Sequence, residues 1–319
     1  MKKIAVLTSG GDSPGMNAAI RSIVRTGIFE DMIIYGVQGG YQGLINGDLM
    51  ELNIASVADI IQRGGTILGT SRSDEFETEE GLKKAMNILS VYGIEGLIVL
   101  GGDGSFRGAL ELSRLGMTVI GIPCTIDNDL GYTDYTIGFF TAVSTVTDAI
   151  NKIRDTSSSH GRANVVEVMG RSCGDIALYA GIAGGAESIV VPEKTFTNEQ
   201  VAKKTLEGKK RGKRHHIIVV AEGVGKPYEI AKDVTDITGI DTRVTILGYI
   251  QRGGAPNVTD RIMATAMGHE AVMLLCQNVG NCAMGVKNNE VFSMDLEKAL
   301  EVPKSFNEDL YEVLKVVSI

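Results

Sequence analysis

Gly96-Leu97-Ile98-Val99-Leu100-Gly101-Gly102-Asp103-Gly104-Ser105 is the stretch whose reading decides the fold class. Its apolar half reads as a buried strand, the glycines end that strand, and a helix-period segment over 105–115 follows. Glycines at such a junction let backbone N–H groups approach a polyphosphate, and the N-terminus of the next helix favours negative charge. A carboxylate placed there, Asp103, suits a Mg²⁺ anchor, direct or through water. Taken alone, the same residues also read as an ordinary strand-to-helix turn capped by Ser105. The loop is neither a Walker A sequence, which needs Gly-Lys-Ser/Thr, nor the spaced G-x-G-x-x-G of dinucleotide folds.

Working outward, Ser9-Gly10-Gly11-Asp12 repeats the device after a strand over 3–7, and a helix over 15–27 follows it. Further strands read at 33–37, 95–100, 118–123, 164–169, 188–191, 215–221 and 243–250. Helices read at 56–62, 78–92, 105–115, 140–154, 198–210, 259–275 and 307–317. Strand–helix–strand repetition predicts an α/β protein with parallel sheets covered on both faces. Polar clusters fall after six of the strands, where ligands bind in open parallel sheets. The early clusters carry Asp12, Asp103, Asp127 and Asp129; the later ones carry Arg162, Arg171, Arg243 and Arg252. One group suits a metal and the other an anion.

Composition sets the outer bounds. The 31 Lys and Arg against 39 Asp and Glu give a net charge of −8, which argues against a nucleic-acid partner. With 44% hydrophobic residues the chain can bury a full core, and at 319 residues it is expected to divide that core between two lobes. Glycine is abundant, 40 of 319, so many tight backbone turns are needed. Four scattered cysteines make no disulfide framework and no C-x-x-C zinc pair, which fits a reducing, cytoplasmic setting. No apolar run is long enough to predict a membrane span, and the run after Met1 is too short for a secretion signal.

Thr125-Ile126-Asp127-Asn128-Asp129 holds two carboxylates two positions apart. In an extended segment both would point the same way, and a kinase needs one such group to receive the proton of its attacking hydroxyl. An Asx-rich surface turn is the competing reading. Arg162, Arg171, Arg243 and Arg252 near glycine turns suit an anionic substrate, since guanidinium forks match phosphate. Arg21 with Arg25, and Arg211 to Arg214, form two basic knots that read equally as a second anion site or as solvated faces.

In order along the chain, residues 8–17, 101–105, 125–129, 155–160, 167–171 and 251–254 resemble the bacterial ATP-dependent 6-phosphofructokinase family. The resemblance implies the phosphofructokinase fold, two doubly wound, Rossmann-like parallel-sheet lobes. Residues 1–138 with 251–303 would bind ATP and Mg²⁺, and 139–250 with 304–319 would bind fructose 6-phosphate. It implies transfer of the γ-phosphoryl group of ATP to the sugar 1-hydroxyl, with Asp127 as base, Asp103 linked to Mg²⁺, and Arg171, Arg72 and Thr125 at the transferring group. ATP would be held by Gly11, Tyr41, Arg72, Ser73, Gly102, Asp103, Gly104, Ser105 and Gly108. The sugar phosphate would meet Thr125, Asp127, Asp129, Met169, Gly170, Arg171, Glu222, Tyr249 and Arg252, with Arg162 and Arg243 from a neighbouring subunit of a homotetramer. Arg21, Arg25, Arg154, Gly185, Glu187, Arg211 and Lys213 would form the effector site for ADP and phosphoenolpyruvate.

The chain departs from the family pattern at three places. Tyr249 stands where a histidine is usual, Cys124 where a glycine is usual, and Ile54 and Ala55 lack side chains that some members turn toward the effector. Pyrophosphate-dependent relatives typically carry an acidic residue at the place of Gly104 and a lysine at the place of Cys124, so Gly104 favours ATP. A different kinase sharing the Gly-Gly-Asp-Gly loop, acting on NAD or a lipid, and a silent nucleotide sensor are the more distant alternatives.

Overall fold

The computed structural model describes residues 1–318 and divides into two compact units. The first comprises Met1–Ile126, Leu130–Thr141 and Arg252–Lys304; the second comprises Asp127–Asp129, Ala142–Gln251 and the chain from Ser305 on. The breaks at 141/142, 251/252 and 304/305 lie one to three residues from the sequence-based boundaries. Residues 127–129, which the sequence reading put in the nucleotide lobe, group with the second unit.

The chain opens with β1 (Lys3–Thr8), α1 (Met16–Phe29), β2 (Ile33–Val37), α2 (Gly40–Asn46) and β3 (Leu49–Leu52). It continues through α3 (Glu79–Tyr92), β4 (Gly96–Gly101), α4 (Asp103–Arg114) and β5 (Thr118–Pro123). Helix α5 (Phe139–His160) leads to β6 (Ala163–Val168), α6 (Asp175–Ala183), β7 (Ser188–Val190), α7 (Asn198–Lys210), β8 (His216–Ala221), α8 (Pro227–Thr238) and β9 (Thr242–Ile246). Then come α9 (Val258–Cys276), β10 (Cys282–Lys287), β11 (Glu290–Asp295), α10 (Leu296–Glu301) and α11 (Glu308–Val317).

The first unit carries a seven-stranded sheet in the order β11-β10-β5-β4-β1-β2-β3. Alternate side chains leave a strand on opposite faces. Ile4, Val6, Ile98, Leu100, Ile120 and Ile122 therefore enter one core with α1 and α9, represented by Ile20, Ile23, Met267 and Val272. Ala5, Leu7, Leu97, Val99 and Val119 enter the other, with Leu89 of α3 and Phe106 and Leu112 of α4. Both faces are covered, which explains why these strands read as unbroken apolar runs. The second unit holds a four-stranded parallel sheet, β7-β8-β6-β9, with Val165, Val190, Ile218 and Val220 packed on Val201 and Ala202 of α7 and Ile230 and Val234 of α8.

The α/β class and the two largely parallel sheets match expectation; several local readings do not. Strands β3 and β11 run antiparallel to β2 and β10, so the larger sheet is mixed at both edges. The β10–β11 hairpin turns through Asn288 and Asn289, both left-handed, as a tight two-residue turn of the twist-compatible kind requires. The helix expected over 56–62 is only a 3₁₀ turn, Ala55–Val57, because Ala58 is extended and Asp59 is left-handed at φ 51°. The strand expected over 243–250 stops at Ile246, and Gly248, at φ 53°, opens a 3₁₀ turn Gly248–Gln251. Elements α2, β3, α6, α8, β10, β11 and α10 were not foreseen.

Candidate active site

In the first unit the chain passes from β1 to β2 on one side and later returns to β4 on the other, so β1 and β4 flank the point where strand order reverses. Loops at the C-terminal ends of such strands are where open sheets bind ligands. Ser9 N donates to the Leu100 carbonyl at 2.9 Å, tying the two glycine loops together. A Cβ at Gly101 would lie 2.7 Å from the Ser9 carbonyl, so only glycine permits this approach. Thr125, beyond β5, sits 3.5 Å from the position of a Gly102 Cβ, and its carbonyl accepts from Thr136 Oγ1 at 2.7 Å. Residues 9–12, 101–105 and Thr125 thus converge at the ends of three neighbouring strands.

Asp103 begins α4, where the unpaired N–H groups of the helix favour its charge. Its two oxygens accept from Arg107 Nε and Nη2 at 2.8 and 3.0 Å. The pair is half-exposed, and a position built on Gly104 meets nothing within 4 Å. Among the described residues no three His, Cys, Asp or Glu side chains are grouped to hold a metal ion. The single Asp103 carboxylate at the start of α4 fits Mg²⁺ carried by nucleotide phosphates, which needs only one or two protein carboxylates.

Tyr41, expected at ATP, is buried. Its ring stacks on Phe76 at 3.9 Å between centroids, and its hydroxyl donates to the Ser105 carbonyl at 2.6 Å. Burial drives the phenol far above its ordinary range. Gly108 leaves room for this pair, since a Cβ there would meet Tyr41 at 2.8 Å and Phe76 at 2.9 Å. Tyr41 therefore props the first turn of α4, and Tyr41→Phe should cost about 1 kcal/mol in urea unfolding, the net worth of one hydrogen bond. Ser73 Oγ donates to Gln42 at 2.7 Å, and Arg72 is exposed. The Arg252 guanidinium lies against Gly11 and reaches the Asp12 carbonyl at 3.4 Å. Cys124, which stands where the family usually has glycine, is buried, and burial pushes its thiol well up.

In the second unit Asp127 is 2% exposed and pairs with Arg171 Nε at 3.2 Å. Gly170 and Arg171 both have positive φ, 135° and 52°, so the chain reverses sharply after β6. Glu222, after the neighbouring β8, locks that reversal by accepting from Gly170 N at 3.1 Å and Arg171 N at 2.7 Å. Met169 N donates to the fully buried Gln251 at 3.1 Å. Glu222, expected on substrate, is thus a backbone clamp. Asn128 is left-handed at φ 52°, so residues 127–129 are not extended, and the alternation argument for Asp127 and Asp129 sharing a direction does not apply.

Other expected residues lie elsewhere. Arg162 and Arg243 pair with Asp241 at 2.7 and 3.1 Å, at the start of β6 and β9. The six residues of β6 separate Arg162 from Arg171 by roughly 20 Å of strand. Tyr249 is 83% exposed on the 3₁₀ turn. A second polar cluster stands at the starts of β7 and β8. There buried Glu187 accepts from Ile217 N at 2.7 Å and pairs with Lys213 at 3.2 Å and with His215 at 3.8 Å. Burial, ahead of the opposing pull of Glu187, lowers the His215 pKa. Arg154 donates to the carbonyls of Gly184 and Gly185, and Arg211 ends α7 in solvent. Arg21 and Arg25 lie on α1 of the first unit.

A Gly-Gly-Asp loop stands at a strand-order reversal in one unit, and a buried Asp–Arg pair stands on a glycine reversal in the other. The phosphofructokinase family model matches residues 3–275, and the chain belongs to that family. It is 61% identical to the ATP-dependent 6-phosphofructokinase of Clostridium tetani over 318 residues, covering 100% of both chains. It is 58% identical over 319 residues to the ATP-dependent 6-phosphofructokinase of Finegoldia magna, again covering both in full. A solved phosphofructokinase structure from Saccharomyces cerevisiae superposes with TM-score 0.93 at 34% identity, over 98% of this chain and 50% of the yeast chain. The chain therefore spans about half the length of that yeast protein. Among the described residues no helix is long and apolar enough to cross a membrane.

Proposed function

We propose that this chain phosphorylates fructose 6-phosphate at its 1-hydroxyl with ATP. The observation that carries the reading is the buried Asp127 carboxylate paired with Arg171, whose turn is itself clamped by Glu222. Asp127 takes the hydroxyl proton, the hydroxyl oxygen bonds to the γ-phosphorus, the bond to the β–γ bridging oxygen breaks, and ADP leaves. Arg171, with Arg72, offsets charge on the transferring group. Residues 102–105, with Gly11, hold the nucleotide. Bound through Asp103, Mg²⁺ would neutralise phosphate charge. Similarity over the full length of two ATP-dependent enzymes supports ATP as donor.

Arg162 and Arg243, at the other end of their sheet from Arg171, serve the sugar phosphate of a neighbouring subunit in a cytoplasmic homotetramer. Arg154, Gly185, Glu187, Arg211 and Lys213 of the second unit, and separately Arg21 and Arg25 of the first, are the residues that the resemblance gives to ADP or phosphoenolpyruvate as effector. Steady-state titration of fructose 6-phosphate with ATP, and in parallel with pyrophosphate, tests the main reading; turnover with pyrophosphate alone would overturn it. Because the position of Gly104 is open, Gly104→Asp should fold normally yet raise KM for ATP at least about tenfold by setting a carboxylate beside the phosphates.

A further inference from the structure

We propose that Asp175 is a positioning residue for Asp127, an inference resting on Asp127 as the proton acceptor. Asp175 is the first residue of α6, following Gly174 as N-cap, and is 4% exposed. The helix N-terminus offsets the cost of burying its charge. Its Oδ2 accepts from Asn128 Nδ2 at 2.8 Å, and Asn128 is itself 1% exposed. A hydrogen bond to a carboxylate is roughly twice as strong as a neutral one. It is made here to the residue next to Asp127 in the chain, whose backbone is left-handed.

The same short turn reaches Asp127 from a second side. Residues 170–175 form one piece, closed by Cys173 N donating to the Gly170 carbonyl at 2.8 Å. Arg171 at its start grips the Asp127 carboxylate, and Asp175 at its end grips the next residue. Cys173 adds a weak contact from its thiol to the Asn128 carbonyl at 3.9 Å. Asparagine tolerates positive φ better than most residues, and the buried bond to Asp175 holds the Asn128 side chain in that conformation. Relaxing it would let Asp127 drift, and small misplacements of a reacting group are costly in rate.

The test compares Asp175→Ala, Asp175→Asn, Asn128→Gly and Asp127→Ser in the full-length protein. Asp175→Ala should lower kcat about 10- to 100-fold with KM for ATP within twofold. Asp175→Asn, which still offers an oxygen to Asn128, should restore kcat to within about threefold of the parent. Asn128→Gly accepts the same backbone conformation without the clamp, so it should reproduce the kcat loss even if Asp175→Ala fails to fold. Parental kcat in both Asp175→Ala and Asn128→Gly, or a loss confined to KM, overturns the proposal. Should Asp127→Ser keep its turnover, the base assignment falls; an inactive Asp127→Ser beside fully active Asp175→Ala and Asn128→Gly removes the positioning role alone.

Discussion

Asp127→Ser is expected to lose two to four orders of magnitude in kcat while binding ATP as the parent does. General base catalysis contributes about 10²–10⁴-fold, and serine offers no group able to hold the hydroxyl proton near neutral pH. The carboxylate is 2% exposed, so bulk water is poorly placed to substitute for it. Arg171, with its side chain 56% exposed, stays hydrated when its partner is removed, and the fold should survive. Residues 102–105 and Gly11 belong to the other unit, which is why nucleotide affinity should hold. Steady-state kinetics with equilibrium ATP titration checks both halves, and parental turnover would refute the assignment.

Asp260→Ala should cost about 3–4 kcal/mol of stability, near the upper end for single substitutions. Asp260 is fully buried and accepts from Gly138 N at 3.0 Å, Thr141 N at 2.8 Å and Thr141 Oγ1 at 2.5 Å. It thereby caps the start of α5 from a helix more than a hundred residues later, satisfying N–H groups that have no partner within their own helix. Asn257 completes the lock, accepting from Asp260 N at 2.9 Å and donating its own N–H to Thr141 Oγ1 at 3.0 Å. Alanine removes the carboxylate that accepts these three buried hydrogen bonds, at about 1–3 kcal/mol each before relaxation. Thermal unfolding should fall by on the order of 10 °C; a shift within 2 °C or so would sink this account. Burial holds the carboxyl above its ordinary 3.8 despite those donors. Stability tied to its ionisation is therefore fully present below that value and lost as pH rises through the raised one, a slope Asp260→Asn should lack.

The glycine loops of the candidate site were legible because their signals are local. Glycine runs after apolar strands marked the loops at 9–12 and 101–105, and backbone chemistry alone accounts for them. Helix α6 was missed because Asp175–Ala183 is a short apolar stretch, which periodicity does not separate from a strand. With α6 unseen, nothing marked Asp175 as a partner for Asn128. Glu222 was placed at the substrate only by the family resemblance, and nothing local marks its backbone role. Its bonds to Gly170 and Arg171 arise only from β8 lying beside β6. The antiparallel edge at β11 did carry a signal, Asn288-Asn289, that went unread.

The amino-acid order by itself determined the α/β alternation, the buried strands and the glycine loops after them, since these follow from short-range periodicity and glycine stereochemistry. Only the tertiary structure decided which charges act together. Arg171 faces Asp127 while Arg162 stands a strand's length away, Tyr41 is a prop beneath α4, and Asp260 caps a helix distant in sequence. Electrostatics and hydrogen bonds act over a few ångströms of space, and spacing along a chain does not report that distance until strands are placed side by side.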